Sequence, residues 1–413
     1  FEHFGYFIDA NLYTFDEIKP WLLYWVQLIA DPKNRRSGSS AFYDQLYNYI
    51  NDAGFDGAKK LFERFGYKVL RSPYNNDDFD FDKRIKNINS YSNELALSLA
   101  KAAHLIYQER IYVAEIATRW GIYPKKLSPD VSIKQKLRDK NVRDYITSNF
   151  RYFDDKEHDT QAFMFQTKKC IVLAFRGSQE MRDWQTNFNC QPRPFSIRPG
   201  GGKTIISSAY KDGKVHKGFF LGWASIERKV LKQLDDWEKV RIKKGQTLLP
   251  LLVTGHSLGG ALATMAAASL QENGIRIDGV YTFGQPRVGD TKFTSQFNQK
   301  LADKFFRFVN NNDVVPHLPP PWLTWNPFRV YKHAGKLKYF NAKGFFVSNY
   351  NLPMRAIDAI SGVIKNLSKS TLDLIDDHSM QYYIGNLNKI LQKENTDAED
   401  KKIEEQEAKK NRI

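Results

Sequence analysis

The chain has 413 residues and a formal net charge of +16, with 42% hydrophobic and 26% charged residues. Its length exceeds one typical domain of about 100–200 residues, so a main domain with additional segments is expected. Two cysteines are too few for a fold built on disulfides. The sequence also has no internal repeat and no cluster of metal-ligand residues, which excludes a repeat protein and a sequence-recognisable metal site.

The first 88 residues show helix-like patterning without a recognisable motif. Apolar residues recur at helical spacing in 21–30 and 42–69, with a polar loop between them. The run from Pro20 to Ala30 is shorter than the roughly 20 residues of a membrane span, so it predicts a buried helix rather than an interfacial anchor. A secretory signal has a basic segment followed by an apolar one, and the given sequence shows no such pattern. We expect a soluble or peripherally membrane-associated chain without a transmembrane span, and its compartment is left open.

Two segments before the main motif have distinct patterns. Residues 171–175 form an apolar run that predicts a buried strand. Residues 193–213 are polar and rich in glycine, which predicts a surface excursion beside the site.

The most informative motif is a Gly-x-Ser-x-Gly sequence centred on Ser257. The apolar run 249–253 before it predicts a strand, and the small residues 261–268 after it predict a helix. In this context Gly255 and Gly259 allow strand and helix to pack closely around a tight turn that exposes the serine hydroxyl. Ser257 is therefore the candidate nucleophile.

A nucleophilic serine needs a histidine base and an acid that orients the base. In a sheet with this strand–serine–helix turn, the acid and then the histidine are expected to follow the serine along the chain. Asp313 lies in the loop after the predicted strand 305–309, whereas Asp290 follows another strand-like run and is the second candidate. His317 lies too few residues from Asp313 to reach the serine freely, and His378 opens a separate segment. The pattern favours Asp313 and His378.

Short sequence blocks that occur in one order carry a family resemblance. They are 174–178, Trp184, 215–219, 254–260, 283–289, 312–319, 333–335, and His378 followed by Tyr382 and Tyr383. Together they resemble the class 3 lipases, the family of filamentous-fungal triacylglycerol lipases and related plant phospholipases A1. The resemblance covers roughly residues 90–390.

The resemblance implies an α/β-hydrolase fold with a mostly parallel central sheet, to which helical N-terminal and C-terminal additions are joined. It assigns the triad acid to Asp313 and the base to His378, and it gives His333 a structural role as a packed, hydrogen-bonded histidine. It also implies that Ser178 and Leu258 supply the N–H groups of an oxyanion hole.

The resemblance further places residues 179–188 where the family has its lid. Within this segment three apolar residues recur at helical spacing, namely Met181, Trp184 and Phe188. The same stripe fits the buried face of an ordinary helix. With a working lid, activity is expected to rise sharply once the substrate exceeds its solubility.

The C-terminal part adds two features. Residues 353–376 have helical spacing and separate His378 from the preceding blocks, whereas residues 393–413 mix Lys and Glu and predict a solvated helix or a frayed tail. We therefore divide the chain into a helical extension (1–88), a lipase-like domain (89–392) and a charged tail (393–413).

Charge is concentrated in the central part of the chain. Residues 91–390 carry a net charge of +18, because the two ends are each slightly acidic. Such a field favours an anionic lipid interface as the partner. Nucleic-acid binding is not expected, since no motif supports it.

The sequence predicts a lipid carboxylic-ester hydrolase, similar to triacylglycerol lipases, that works through an acyl-enzyme and needs no cofactor or metal. A phospholipase A1 or galactolipase is the alternative enzyme, because these share the family's blocks. A non-catalytic lipase-like scaffold is the third hypothesis, and the presence of Ser257, Asp313 and His378 together argues against it.

Overall fold

The computed structural model describes the part of the chain that carries most of the sequence blocks. All described residues lie in the second of two units into which the chain divides, Asp80–Ile413. The helices predicted in the first 88 residues and in 353–376 lie outside them. The described residues are 81, 88, 90–107, 113, 120, 148–177, 191–199, 202–311, 313–319, 331–347 and 378–410.

Thirteen strands and five α-helices occur in the described ranges. The strands are β1 (Phe150–Asp155), β2 (Thr160–Gln166), β3 (Ile171–Phe175), β4 (Pro192–Pro194), β5 (Ser196–Ile197), β6 (Ile205–Ile206), β7 (Lys214–His216), β8 (Leu251–His256), β9 (Ile277–Phe283), β10 (Gly289–Asp290), β11 (Phe305–Asn310), β12 (Tyr331–Lys332) and β13 (Lys336–Phe340). The helices are α1 (Asn93–Leu105), α2 (Lys217–Lys243), α3 (Leu258–Glu272), α4 (Thr291–Leu301) and α5 (Met380–Lys410), with short 3-10 turns at Ala302–Lys304 and Val315–His317.

The largest sheet among the described residues has the order β1-β2-β3-β8-β9-β11-β13. β1 and β2 are antiparallel to their neighbours, and the five strands from β3 onwards pair in parallel. Every residue of β3, β8, β9 and β11 is buried, as expected for parallel strands covered on both faces. The predicted α/β architecture with a mostly parallel sheet is confirmed.

Helices cover the two faces of this sheet. Leu251 and Val253 of β8 belong to the core cluster that includes the apolar residues of α2 and α3. The alternate residue Thr254 faces α1, where its hydroxyl donates to the Leu99 carbonyl over 3.2 Å. α5 packs on α1 at this second face. The sheet therefore lies between α2 and α3 on one side and α1 and α5 on the other.

The Gly-rich segment 193–213 differs in part from its prediction. Phe195 and Tyr210 are fully buried, and their rings pack edge to face at 4.9 Å. Ser207 donates to the Glu272 carboxylate over 3.1 Å, at the end of α3 remote from Ser257. Residues 202–206 are exposed, as a surface excursion predicts. The predicted place beside the site was wrong, because Phe195 and Tyr210 anchor the segment in the core and Ser207 binds the end of α3 remote from Ser257.

The charged C-terminal segment is helical. α5 starts two residues after His378 and continues to Lys410, and its residues 393–401 are exposed. Of the two structures predicted for this segment, the solvated helix is the one present. Within the described ranges, no helix has both the length and the apolar content that crossing a membrane requires.

Candidate active site

Ser257 occupies a sharp turn between β8 and α3. Its backbone φ of 57° and ψ of −129° lie in a region that residues other than glycine rarely adopt. Its N–H donates to the Phe283 carbonyl over 2.9 Å, and its carbonyl accepts from the Gly260 N–H over 2.9 Å. The side chain is 3% exposed. A strained serine between a strand and a helix is the geometry of a nucleophile elbow.

The turn before the predicted oxyanion donor lies directly against this elbow. A Cβ at Gly177 would stand 2.7 Å from the His256 carbonyl oxygen and 3.0 Å from Ser257 Cβ, so no larger residue fits there. Ser178 itself lies outside the described residues. Leu258 is the first residue of α3, where the helix presents N–H groups and the positive end of its dipole.

Asp313 and His378 are in contact near the C-terminal ends of the parallel strands, where the elbow also lies. His378 Nδ1 lies 2.8 Å from each carboxylate oxygen of Asp313, and both side chains are about 1% exposed. The Val315 N–H donates to the same carboxylate over 2.9 Å. A carboxylate oxygen accepts this hydrogen bond from Nδ1, so the neutral form of the His378 ring has its proton on Nδ1 and a lone pair on Nε2.

The Nε2 atom of His378 is buried and has no hydrogen-bond partner among the described residues. No bond to the Ser257 hydroxyl is formed, although the adjacent His256 ring lies 4.4 Å from the His378 ring. Hydrogen bonds of this kind are often long without substrate and shorten in the reacting complex. His378 therefore has one nitrogen engaged by an acid and the other available to accept a proton beside the elbow.

Gly284, at the end of β9, makes room for this pair. Its φ is +58°, and a Cβ there would stand 2.7 Å from both Asp313 Oδ2 and His378 Cε1. A side chain at this position would displace the acid, the histidine or both, so the contact depends on glycine.

The other candidates from sequence have different surroundings. The Asp290 carboxylate accepts from the Phe293 N–H over 2.9 Å and thereby caps α4. His317 is exposed. His333 is half-buried, and burial of its ring next to Arg307 lowers its pKa well below the usual value. Of the two candidate acids, Asp313 is the one that contacts a candidate histidine, His378.

Tyr383 is a further member of the site that sequence reasoning did not assign. Its hydroxyl donates to Asp313 Oδ2 over 2.5 Å and accepts from the Asn310 N–H over 3.2 Å. Burial, and then the neighbouring Asp313 charge, raise the pKa of Tyr383 well above its usual value, so the hydroxyl stays a donor. Its position in the last sequence block, five residues after His378, is the signal that could have indicated this role.

The lid prediction concerns residues that the structure does not describe. These are Met181, Trp184 and Phe188. Within the described ranges, no group of three His, Cys, Asp or Glu side chains is arranged to hold a metal ion.

Residues 172–322 match the family model described as lipase (class 3). This stretch of the chain is similar to the class 3 lipases. The family match includes Ser257 and Asp313 but ends before His378, so the place of His378 in the candidate site rests on its contact with Asp313.

Individual relatives are similar over part of their length. The chain is 31% identical to the secreted mono- and diacylglycerol lipase 1 of Fusarium solani, over 50% of this chain and 55% of that protein. It is 34% identical to a lipase of Rhizomucor miehei, covering 40% and 42%. A solved structure of the Rhizomucor miehei triacylglyceride lipase is 28% identical, covers 46% of this chain and 65% of that one, and has a TM-score of 0.37. The chain spans about half the length of the curated relatives it matches.

Proposed function

We propose that this protein is a class 3 lipase, which hydrolyses carboxylic esters of acylglycerols through an acyl-enzyme on Ser257. The observation that carries the proposal is the buried His378 ring, which donates to Asp313 through Nδ1 and keeps Nε2 available beside a strained serine. The Fusarium solani relative is a mono- and diacylglycerol lipase, which supports acylglycerols as the substrate class.

In the proposed mechanism His378 Nε2 accepts the hydroxyl proton of Ser257 while the serine oxygen attacks the ester carbonyl. The Asp313 carboxylate holds the histidine orientation and stabilises the imidazolium that forms. The backbone N–H groups of Ser178 and Leu258 stabilise the negative charge on the carbonyl oxygen, which develops only in the tetrahedral state. The imidazolium then gives its proton to the leaving alcohol, and water releases the fatty acid from the serine.

The same proposal defines the working unit as residues 89–392. Side chains that contact the site run from Tyr107, just after α1, which hydrogen-bonds His256, to Tyr383 in α5, which hydrogen-bonds Asp313. Most of this range therefore supports one centre. The role of residues 1–88 is not part of the proposed chemistry.

The test is fatty-acid release by the full chain and by its Ser257→Ala variant. Each protein is assayed on emulsified triacylglycerol, emulsified diacylglycerol and phosphatidylglycerol vesicles in a pH-stat. Loss of a triad serine typically lowers turnover by roughly a millionfold, so release by the variant should fall to the background rate. Preference for the neutral lipids is expected, whereas preference for the vesicles would identify a phospholipase instead.

Ser225→Ala is the matched control. Ser225 is half-buried on α2, and its hydroxyl donates to the Gly222 carbonyl of its own helix, away from the candidate triad, so full activity is expected. If Ser257→Ala keeps the activity of the full chain, the acyl-enzyme mechanism is wrong. If neither protein releases fatty acid while both give the same circular dichroism spectrum, the lipase-like scaffold replaces the enzyme.

A further inference from the structure

The His256 side chain, next to Ser257, is hydrogen-bonded at both ring nitrogens. Its Nε2 lies 2.7 Å from the main-chain carbonyl oxygen of His378, and its Nδ1 lies 2.8 Å from the Tyr107 hydroxyl. The ring is buried, and 122 residues separate it in sequence from His378. The nucleophile elbow and the histidine segment are thus joined by a direct bond.

These partners fix the tautomer of His256. A carbonyl oxygen can only accept, so Nε2 must carry the proton that it donates to His378. Nδ1 is then the acceptor and receives the Tyr107 O–H. Burial, and then the neighbouring His378, lower the pKa of His256 well below its usual value. His256 therefore remains a neutral ring with a fixed direction of donation.

Tyr107 extends the same connection to the turn that precedes Ser178. Its hydroxyl lies so close to Gly177 that a Cβ on that glycine would overlap it, and the Arg176 guanidinium lies over its ring at 5.8 Å. Tyr107, His256 and the His378 carbonyl consequently link three loops of the site, namely the oxyanion turn, the elbow and the histidine segment.

Within the described part of the chain, the His378 ring is held by a hydrogen bond at Nδ1 alone, so its orientation also depends on how its main chain is held. Asp313 engages Nδ1, which leaves the ring free to move with its main chain unless that main chain is also held. The bond from His256 fixes the carbonyl of the same residue. The ring and the backbone of His378 are then tied to two different elements, β11 and β8.

We propose that His256 is a positioning residue, which holds the main chain of His378 so that Nε2 can reach the Ser257 hydroxyl in the reacting complex, with Tyr107 fixing the direction of the His256 hydrogen bond. This inference rests on the proposed function, since it gives His256 a role only through His378. In this role the His256 ring donates a hydrogen bond and transfers no proton. An imidazole buried only for packing would cost free energy that an apolar side chain avoids, because both nitrogens must find partners.

The first test compares His256→Leu with His256→Gln in the full chain on p-nitrophenyl butyrate, a soluble ester. Leucine fills similar space without a donor, whereas the glutamine amide nitrogen replaces the donor near the Nε2 position. A misplacement of about 1 Å can cost roughly a hundredfold, so we expect kcat to fall about 10- to 100-fold in His256→Leu with KM nearly unchanged. His256→Gln should recover most of that loss.

The second test places His256→Leu in a His378→Ala background. An enzyme without its triad histidine keeps a residual rate about a thousandfold above the uncatalysed reaction, which allows measurement. If His256 acts through His378, the leucine variant should not lower kcat further in this background. An equal loss of kcat in both backgrounds would overturn the inference and give His256 a merely structural role.

The remaining outcomes separate this inference from the proposed function. Full activity in His256→Leu, together with an inactive His378→Ala, would overturn the positioning role alone. Full activity in His378→Ala would overturn both. Should His256→Leu fail to fold, Tyr107→Phe replaces it in the same double-mutant cycle, where a loss of kcat that disappears in the His378→Ala background supports the inference and an equal loss in both overturns it.

Discussion

Single hydrogen bonds around Asp313 decide how firmly the acid of the site is held. The carboxylate accepts from His378 Nδ1, from the Val315 N–H and from the Tyr383 hydroxyl. The tyrosine also satisfies the Asn310 N–H at the end of β11. One hydroxyl therefore fixes both the acid and the strand end beside it.

Replacing Tyr383 by phenylalanine removes this hydroxyl and keeps the ring. We predict a loss of about 1.5–3 kcal/mol in the free energy of unfolding, because a bond to a charged group is lost and a buried N–H is left without its acceptor. kcat should also fall, since Asp313 loses a donor that holds it against His378. Urea unfolding and the rate on p-nitrophenyl butyrate measure the two effects.

Tyr382→Phe is the matched control, because that neighbouring tyrosine is 41% exposed. It should leave both the stability and kcat close to those of the unaltered chain. Equal stability and equal rates in both variants would show that the Tyr383 bond contributes nothing to the site.

Sequence reasoning is strongest for residues whose role is encoded by their neighbours in the chain. Ser257 is recognisable because its glycines and its flanking strand and helix are local. Tyr107 and His256 are different, because their partnership joins positions 149 residues apart and no local pattern indicates it. Asp313 lies between these cases, since its loop was predictable and its contact with His378 depends on the folding of α5.

At the scale of elements, α2 begins with an unusual cap. His216 accepts the Phe219 N–H at Nδ1 over 3.4 Å and stacks on the Phe219 ring at 4.0 Å. Burial lowers the pKa of His216 to about 4. The neutral ring is thus the form that caps the helix, because a protonated Nδ1 cannot accept a hydrogen bond.

This cap predicts a pH-dependent contribution to stability. The pKa of His216 is about 6.5 when unfolded and about 4 when folded, so its contribution is fully present above pH 6.5 and is lost as pH falls towards 4. His216→Asn keeps a good capping acceptor that does not titrate. Between pH 7 and pH 4.5 the unaltered chain should lose about 2–3 kcal/mol more than this variant, measured by urea unfolding.

His104 supplies the internal reference for that experiment. Its pKa is also lowered to about 4 by burial, and it is present in both proteins, so a common acid sensitivity should remain. Parallel curves of unfolding free energy against pH in the two proteins would contradict a titrating cap at α2.

Elements with long apolar runs were predictable, and those fixed by tertiary contacts were not. The runs that became β3, β8 and β11 are buried strands whose sequence alone is nearly continuous in apolar residues. The segment 193–213 was interpreted as a surface excursion because its polar and glycine residues outnumber Phe195 and Tyr210. The rings of Phe195 and Tyr210 pack on Phe293 and thereby anchor the segment in the core.

For the whole molecule, charge is the property that bears on approach to a lipid surface. Residues 91–390 carry a net charge of +18, and we propose that this field favours an anionic interface. The interaction should be screened by salt, since the Debye length falls from about 10 Å at 0.1 M to about 3 Å at 1 M.

The corresponding measurement is sedimentation of Ser257→Ala with phospholipid vesicles, which avoids hydrolysis during binding. Binding to phosphatidylglycerol vesicles should exceed binding to phosphatidylcholine vesicles and should weaken at least about tenfold between 0.05 and 0.5 M salt. Equal binding to both lipids, or binding that salt does not change, would mean that the net charge has no part in recognition.

The order of the site residues along the chain has a consequence for biosynthesis. Asp313 follows the elbow, and His378 follows Asp313 by another 65 residues. A ribosome therefore releases the nucleophile well before its base, and α5, which begins two residues after His378, packs on α1. In the proposed mechanism, a growing chain that ends before His378 would have no proton acceptor at the serine, so hydrolysis would begin only after translation has passed this residue.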